Sequence, residues 1–129
     1  MKNQFVIMTS RMPHILVIDD EPDIIKIIRT VLEEKGYQVV GLVSSAEIFQ
    51  IIQQTAPDLI LLDLWMPIVS GEEVITQLKS QPQTAQIPIM VLSASKDTET
   101  IARRMGADDY LCKPFEIEEL ELKVANLLP

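Results

Sequence analysis

The sequence is short of several residue types, and each shortage excludes a class of protein. Cys112 is the only cysteine among 129 residues, so an internal disulfide is impossible and a reducing cytoplasm is the expected location. Lysine and arginine together number 11 against 19 acidic residues, and the formal net charge of -8 makes nucleic acid and anionic membranes poor direct partners. No apolar run approaches the ~20 residues of a membrane-spanning helix. The run FVIM at 5–8 is too short for the apolar region of a secretory signal.

The remaining composition is that of one ordinary globular domain. Apolar residues make up 47% of the chain, which is enough for a complete core at this length. Residues 1–13 carry no periodic pattern, so we predict a flexible leader there and a single domain over 14–129. The only histidine, His14, opens the first predicted strand, whereas a phosphohistidine would need a helical bundle that this pattern does not predict.

From residue 14 onward, short apolar runs alternate with segments of helical periodicity. Strands are predicted at 14–19, 37–43, 58–63, 87–93 and 108–113. Helices are predicted from Pro22 to Gly36, from a cap at Ser44 or Ser45 to before Pro57, from Gly71 to the Pro82 region, at about 97–105 and at 116–128. Such alternation predicts an α/β fold with a parallel sheet covered on both faces, and right-handed crossovers restrict it to a doubly wound arrangement. Cys112 would then be an inert thiol in a buried strand.

Polar residues stand where four of these strands end. They are Asp19 and Asp20, Asp63, Ser93, and Lys113. Because the carboxyl ends of parallel strands meet at one edge, where open α/β sheets bind ligands, we expect these side chains to lie together. The alternative is that the acids only cap strands and helices, that the serine caps the next helix and that the lysine is a solvated surface residue. Each alternative is reasonable singly, but none explains the five positions together.

The chemistry of this set favours phosphoryl transfer with a divalent cation. Three adjacent carboxylates would repel one another and raise their pKa values. A Mg²⁺ ion relieves that repulsion, because it binds oxygen ligands and keeps waters that a phosphate oxygen can replace. Asp63 is the best candidate nucleophile, since a carboxylate can take up a phosphoryl group as an acyl phosphate. Lys113 could pair with that group, and Ser93 could donate its hydroxyl to it.

Four segments resemble the receiver domain of two-component response regulators. They are ILVIDDEPDI (15–24), LLDLWMPIVSG (61–71), VLSAS (91–95) and GADDYLCKPF (106–115), in the family's order and spacing. The resemblance implies a flavodoxin-like, CheY-like fold with strand order 2-1-3-4-5. It implies that Asp63 is the phosphoacceptor and that Mg²⁺ is held by Asp20, Asp63 and the Trp65 carbonyl, with Asp19 assisting. It also implies a switch hydroxyl at Ser93, a phosphate-pairing cation at Lys113 and a switch aromatic at Tyr110.

The resemblance further implies a signalling role in a phosphorelay, with no conventional enzyme activity. A receiver catalyses only its own phosphorylation and dephosphorylation, so the expected partners are a sensor histidine kinase or phosphotransfer protein and a downstream protein target. The target would read the face formed by helix 4, strand 5 and helix 5. The sequence ends at Pro129 directly after the last predicted helix, which favours a single-domain regulator.

Three features depart from the usual family pattern. Ser93 replaces the more common threonine, so the hydroxyl is kept but the β-branch that restricts its rotamers is lost. Trp65 stands two residues after the proposed nucleophile, and we hypothesise that it shields the acyl phosphate from water. Glu118 and Glu119 lie where DNA-binding relatives often carry an arginine, which argues against their ion-paired dimer.

Two other functional classes remain open from the residues alone. One is a binding module that uses the same fold as a scaffold, with its acids kept only for charge. It predicts neither Mg²⁺ affinity nor phosphotransfer. The other is a hydrolase of the dehalogenase type with an aspartate nucleophile, which is disfavoured because Trp65 occupies the place of its second acid.

Overall fold

Strands and helices alternate along the chain in the computed structural model, which describes residues 12–66 and 69–129. The strands are β1 (His14–Ile18), β2 (Gln38–Leu42), β3 (Leu59–Asp63), β4 (Ile89–Ser93) and β5 (Asp109–Cys112). The helices are α1 (Pro22–Glu34), α2 (Ile48–Thr55), α3 (Gly71–Lys79), α4 (Thr98–Met105) and α5 (Ile117–Leu127). The predicted alternation is confirmed, and each strand is slightly shorter than predicted. Within the described ranges no helix is both long and apolar enough to cross a bilayer.

The five strands form one parallel sheet in the order β2-β1-β3-β4-β5, which confirms the predicted fold class and topology. The register pairs Ile18 with Leu62, so β1 and β3 end side by side in the middle of the sheet. It also pairs Asp63 with Leu92, which places the end of β4 beside that of β3. The predicted polar residues therefore share the carboxyl edge of the sheet.

The core has two layers because the strands alternate their side chains between the faces of the sheet. One layer packs strand residues against α2, α3 and α4, and its strand members include Leu16, Ile18, Ile60, Leu62 and Val91. The other packs the intervening residues against α1 and α5, and it includes Ile15, Val17, Leu59, Leu61 and Leu111. Each such side chain contributes about 1.5–3 kcal/mol through burial, so the sheet is a rigid support for its polar edge.

The predicted leader falls mostly outside the part of the chain that the structure describes. Residues 1–11 lie outside the described residues. Met12 is exposed, and the carbonyl of Pro13 accepts a hydrogen bond of 2.9 Å from the backbone N–H of Gln38. The leader over 1–13 and the domain over 14–129 therefore stay predictions.

Two local expectations were wrong. Neither predicted serine caps α2, because Ser45 Oγ donates to the Val69 carbonyl at 3.1 Å and Ser44 Oγ accepts from the N–H of Ala46 at 3.1 Å. Ser45 instead ties the loop after β2 to the segment before α3. Cys112 is exposed and not buried, because β5 forms the edge of the sheet.

The start of α3 packs directly on the end of β3. Ser70 Oγ caps the helix by accepting from the N–H of Glu73 at 3.2 Å, and the N–H of Gly71 donates to the Leu64 carbonyl at 3.1 Å. A Cβ atom on Gly71 would lie only 2.6 Å from the Asp63 carbonyl oxygen and 2.8 Å from Leu64 Cα. Only glycine therefore permits this approach, which fixes the backbone that carries the Asp63 side chain.

We expect Gly71→Ala to destabilise the protein by about 1–3 kcal/mol, the usual range for overpacking. The amide resonances of Asp63 and Leu64 should shift at the same time. Urea unfolding and a ¹H–¹⁵N spectrum measure both effects. Gly36→Ala is the matched control, because Gly36 has a φ of +92° and a Cβ added there would meet no heavy atom of the described residues within 4 Å. That variant should show backbone strain without a shift at Asp63, and wild-type stability and shifts in Gly71→Ala would contradict the packing argument.

Candidate functional site

Two buried carboxylates and a lysine meet at the carboxyl edge of the sheet. Asp19 follows β1 and is fully buried, and Asp63 ends β3 with 4% of its surface exposed. Lys113 Nζ, which follows β5, lies 2.6 Å from Asp19 Oδ2 and 3.7 Å from Asp63 Oδ2. The exposed side chain of Asp20 is close enough to raise the pKa of the Asp63 carboxyl. The structure thus brings together all three predicted acids and the predicted lysine.

The same local turn orients both buried carboxylates. Asp19 Oδ1 accepts a hydrogen bond of 2.9 Å from the backbone N–H of Glu21. Asp63 Oδ1 accepts one of 3.1 Å from the backbone N–H of Trp65. An aspartate that bonds the backbone two residues further on stabilises a turn. One carboxylate oxygen is therefore fixed in each case, and the other faces Lys113.

Burial and charge act in opposite directions on the two partners. The pKa of Asp63 is raised from 3.8 to about 6, and burial is the main cause. The charge of Asp19 and the neighbouring Asp20 also raise this pKa, whereas the Trp65 N–H and Lys113 lower it. Burial alone would lower the pKa of Lys113, but attraction to Asp19, Asp63 and Glu21 outweighs it and raises that pKa above 10.5. At neutral pH the lysine is therefore cationic, and Asp63 is mostly ionised.

The donor atoms at this edge fit a hard divalent cation. Asp19, Asp20 and Glu21 each offer a carboxylate oxygen, and these oxygens lie within 4.8 Å of one another. Asp19 Oδ2 is buried without a hydrogen-bond partner among the described residues, so its short contact with Lys113 is an ion pair that is poorly aligned for hydrogen bonding. A set of carboxylate oxygens suits Mg²⁺ better than a soft metal.

Ser93 lies beside this cluster but bonds elsewhere. It ends β4 and is fully buried, and its Oγ accepts hydrogen bonds of 3.0 Å from Trp65 Nε1 and from the backbone N–H of Ser95. Among the described residues, no hydrogen bond joins this hydroxyl to Asp63 or Lys113. Since α4 begins only at Thr98, Ser93 is not the ordinary helix cap of the alternative interpretation.

Tyr110 lies on β5, at the edge of the sheet. Its half-buried side chain packs against the core layer that contains α4. Lys123 Nζ lies 4.2 Å from the centroid of its ring, a distance typical of a cation–π contact. The same ammonium donates to the Tyr110 carbonyl and lies 3.5 Å from Asp109 Oδ1. The aromatic ring is thus held by a cation on the outer face of the domain.

Comparison with known proteins decides the family. Residues 15–125 match the family described as "Response regulator receiver domain". The chain belongs to this family. The resemblance read from the four sequence segments is therefore confirmed, and the protein is a receiver domain of the two-component response regulator type, a signalling domain.

The similar curated proteins are longer than this chain. The chain is 40% identical over 119 residues to the DNA-binding dual master transcriptional regulator RpaA of Synechocystis sp., and the match covers 91% of this chain and 49% of that protein. It is 39% identical to the response regulator SaeR of Staphylococcus aureus, covering 91% and 51% of the two chains. The receiver thus spans about half the length of these curated relatives.

Solved structures of similar receivers confirm the flavodoxin-like, CheY-like fold. A putative response regulator from Chloroflexus aurantiacus is 33% identical with a TM-score of 0.84, covering 91% of this chain and 98% of that one. The response regulator TrrA of Thermotoga maritima, in complex with Mg(2+)-BeF, is 32% identical with a TM-score of 0.81, covering 91% and 100%. CheY4 of Vibrio cholerae is 28% identical with a TM-score of 0.83, covering 92% and 100%.

Sequence reasoning missed two contacts of this receiver. Glu21 is not among the predicted site residues, yet its Oε1 lies 3.3 Å from Lys113 Nζ. The run of three acids at 19–21 could have indicated its place in the cluster. The hydrogen bond from Trp65 to Ser93 joins residues that are 28 positions apart. No local pattern could have indicated it.

The raised pKa of Asp63 predicts a pH-dependent effect of Asp63→Asn on the divalent-free receiver. Because the folded-state pKa of about 6 exceeds the ordinary 3.8, the carboxyl group lowers the stability of the fold as pH rises between these values. Asparagine cannot ionise, so the variant should gain about 1–3 kcal/mol in free energy of unfolding at pH 7 and little at pH 4. Urea unfolding in a chelator at both pH values measures this.

The matched control is Asp97→Asn, an exposed acid at the same edge of the sheet. It should change the free energy of unfolding little at either pH. An Asp63→Asn receiver that is less stable than the wild type at pH 7 would contradict the electrostatic account.

Proposed function

We propose that this receiver accepts a phosphoryl group on Asp63, in a Mg²⁺-assisted transfer from a phosphohistidine of a sensor histidine kinase or phosphotransfer protein. The observation that carries the proposal is the contact of Lys113 with both Asp19 and Asp63. The Trp65 N–H and the partly buried Lys113 cation, which two carboxylates share, lower the pKa of Asp63 and keep it mostly ionised at neutral pH in a site where burial favours its protonated form. An ionised, largely desolvated carboxylate is an effective nucleophile.

In the proposed transfer, an Asp63 carboxylate oxygen attacks phosphorus in line with the departing imidazole nitrogen. The new P–O bond forms as the P–N bond breaks, and the imidazole leaves as a neutral base after taking up a proton. When bound, Mg²⁺ would neutralise charge on the equatorial phosphoryl oxygens. The residues proposed to hold it are Asp19, Asp20, Asp63 and the backbone carbonyl of Trp65. Glu21 offers a further carboxylate oxygen near those of Asp19 and Asp20.

Lys113 and Ser93 respond to the new charge. The Lys113 ammonium pairs with Asp63 at rest, and we propose that it pairs with the phosphoryl group afterwards. Ser93 then donates its hydroxyl to the same group. Charged hydrogen bonds contribute about 1.5–3 kcal/mol each, and two of them barely reach the roughly 5.5 kcal/mol needed to invert a 1:99 population. We therefore expect an incomplete shift of the conformational equilibrium.

The proposed output surface is the face formed by α4, β5 and α5. Tyr110 lies in this face, and its ring is held by the Lys123 ammonium, so an inward turn of the ring would change what a partner meets. A downstream protein is the expected reader. The net charge of -8 argues against direct contact with nucleic acid or an anionic membrane. A cytoplasmic location belongs to the same proposal, because histidine kinases of this signalling type present their phosphohistidine there.

Phosphoryl uptake from acetyl phosphate tests the proposal. With Mg²⁺ present, intact-mass measurement should show the addition of one phosphoryl group, and removal of the metal with a chelator should abolish it. Emission of Trp65, the only tryptophan, should change on addition of Mg²⁺ and again with acetyl phosphate. Asp20→Asn should raise the Mg²⁺ concentration required. No uptake and no emission change at saturating Mg²⁺ would favour a scaffold without phosphoryl chemistry.

A further inference from the structure

Trp65 contacts both the proposed phosphoacceptor and the proposed switch hydroxyl. Its backbone N–H donates to Asp63 Oδ1 at 3.1 Å, and its indole Nε1–H donates to Ser93 Oγ at 3.0 Å. We propose that Trp65 is a positioning residue whose indole N–H holds the Ser93 hydroxyl in a resting position, so that Ser93 must leave Trp65 in order to bind the phosphoryl group. This inference rests on the proposed function.

The contacts of Ser93 show that its hydroxyl is held in place at rest. Its oxygen accepts from two donors, the indole of Trp65 and the backbone N–H of Ser95, each at 3.0 Å. Within residues 12–66 and 69–129 no hydrogen bond connects the hydroxyl to the carboxylate cluster. A rotation about χ1 that turned the hydroxyl toward Asp63 would break these bonds.

The side-chain type at position 93 makes an external restraint necessary. Serine lacks the β-methyl group that limits a threonine to few rotamers, so its hydroxyl exchanges between staggered positions at low cost. Trp65 Nε1 favours one of those positions. The indole of Trp65 thus restricts the rotamer of Ser93, as the β-methyl group of a threonine would.

The exposure of Trp65 indicates that packing does not fix its orientation. The residue is 60% exposed, although tryptophan is usually largely buried. Its backbone is anchored to Asp63, and the ring reaches from the end of β3 to the end of β4, which is adjacent in the sheet. Among the described residues, the indole N–H donates to Ser93 Oγ, so a change at Ser93 should release the ring.

The proposed contact opposes activation by the amount that it stabilises the resting state. A neutral hydrogen bond of this kind corresponds to a change of roughly 2- to 12-fold in an equilibrium constant. Removal of the indole N–H should therefore increase the affinity for a phosphoryl mimic by that factor. If Trp65 instead stabilised Ser93 in its phosphoryl-bound position, removal of the indole N–H would decrease this affinity.

The first test measures beryllofluoride affinity by calorimetry at saturating Mg²⁺ in four proteins. They are the wild type, Trp65→Phe, Ser93→Ala and the double variant. Phenylalanine keeps an aromatic ring but removes the N–H donor. We expect Trp65→Phe to increase the affinity roughly 2- to 12-fold in the wild-type background. In the Ser93→Ala background the same change should have no effect, because the hydroxyl through which the indole acts is absent.

The second test follows the single indole N–H resonance in a ¹H–¹⁵N spectrum. In the resting protein this resonance should lie at a hydrogen-bonded position with slow exchange. Ser93→Ala should move it to the position of a free indole without beryllofluoride. Mg²⁺ with beryllofluoride should move it the same way in the wild type. Ser93→Thr keeps the hydroxyl and should restore the resting position, which separates the hydrogen bond from a packing effect.

The outcomes separate this inference from the proposed function. Three outcomes would refute this inference and leave the proposed function intact. Trp65→Phe could change the beryllofluoride affinity equally in both backgrounds, or it could decrease that affinity. The indole resonance could also stay in place in Ser93→Ala. If the wild type bound no beryllofluoride at saturating Mg²⁺, the proposed function would fail and this inference with it.

Discussion

We expect Asp63→Asn to abolish covalent uptake of phosphoryl groups from acetyl phosphate. The asparagine side chain keeps the size of the carboxylate and can accept from the Trp65 N–H as Asp63 Oδ1 does at 3.1 Å. It lacks the anionic oxygen that forms the acyl phosphate, so no P–O bond can form at this position. Intact-mass measurement at saturating Mg²⁺ should show one added phosphoryl group in the wild type and none in the variant.

Asp97→Asn is the matched control for this experiment. Asp97 precedes α4 at the same edge of the sheet, and its backbone N–H bonds to Ser95 Oγ at 3.1 Å. Its side chain is exposed and lies outside the carboxylate cluster, so that variant should be phosphorylated as the wild type is. Undiminished uptake by Asp63→Asn would show that another residue accepts the phosphoryl group.

We expect Lys113→Met to destabilise the divalent-free protein by about 3 kcal/mol at pH 7, because the substitution leaves buried carboxylates without their counter-charge. Asp19 is fully buried, and its Oδ2 has the Lys113 ammonium at 2.6 Å as its ion-pair partner. Methionine fills similar space but carries no charge. The loss should shrink at acid pH, where the carboxyl groups can take up protons, and Mg²⁺ should reverse part of it. Urea unfolding with a chelator, and then with Mg²⁺, measures these changes.

Lys79→Met is the matched control for the charge of Lys113. Lys79 Nζ pairs with Asp108 Oδ2 at 3.4 Å, but both side chains are partly exposed, so the pair should contribute less than about 1 kcal/mol. Asp19→Asn introduced together with Lys113→Met should recover part of the stability, because it removes the unpaired charge. A loss in Lys113→Met no larger than in Lys79→Met would contradict the role assigned to the buried cation.

The position of the candidate site could be predicted because it follows from topology. Asp19, Asp63 and Ser93 each end a buried apolar run, and parallel strands with right-handed crossovers bring such ends to one edge. The ion pair of 2.6 Å between Lys113 and Asp19 lies at that edge. The fold class could be predicted for the same reason, since the continuous apolar strands require cover on both faces.

The finer features could not be predicted because they depend on tertiary contacts. Asp19 is fully buried whereas the adjacent Asp20 is exposed, because side chains alternate between the two sides at the strand end. Ser45 bonds to the Val69 carbonyl instead of capping α2, a competition between local and distant partners that no local pattern decides. The indole contact with Ser93 likewise joins the loop after β3 to the end of β4, which meet only in the folded sheet.

The most direct measurement for the central claim is to locate the phosphoryl group itself. The wild-type receiver would be treated with acetyl phosphate and Mg²⁺, the acyl phosphate reduced with borohydride, and the modified peptide sequenced by mass spectrometry. The account predicts reduction at Asp63 alone, lost when Mg²⁺ is chelated. Modification at any other residue, or none at saturating Mg²⁺, would contradict it.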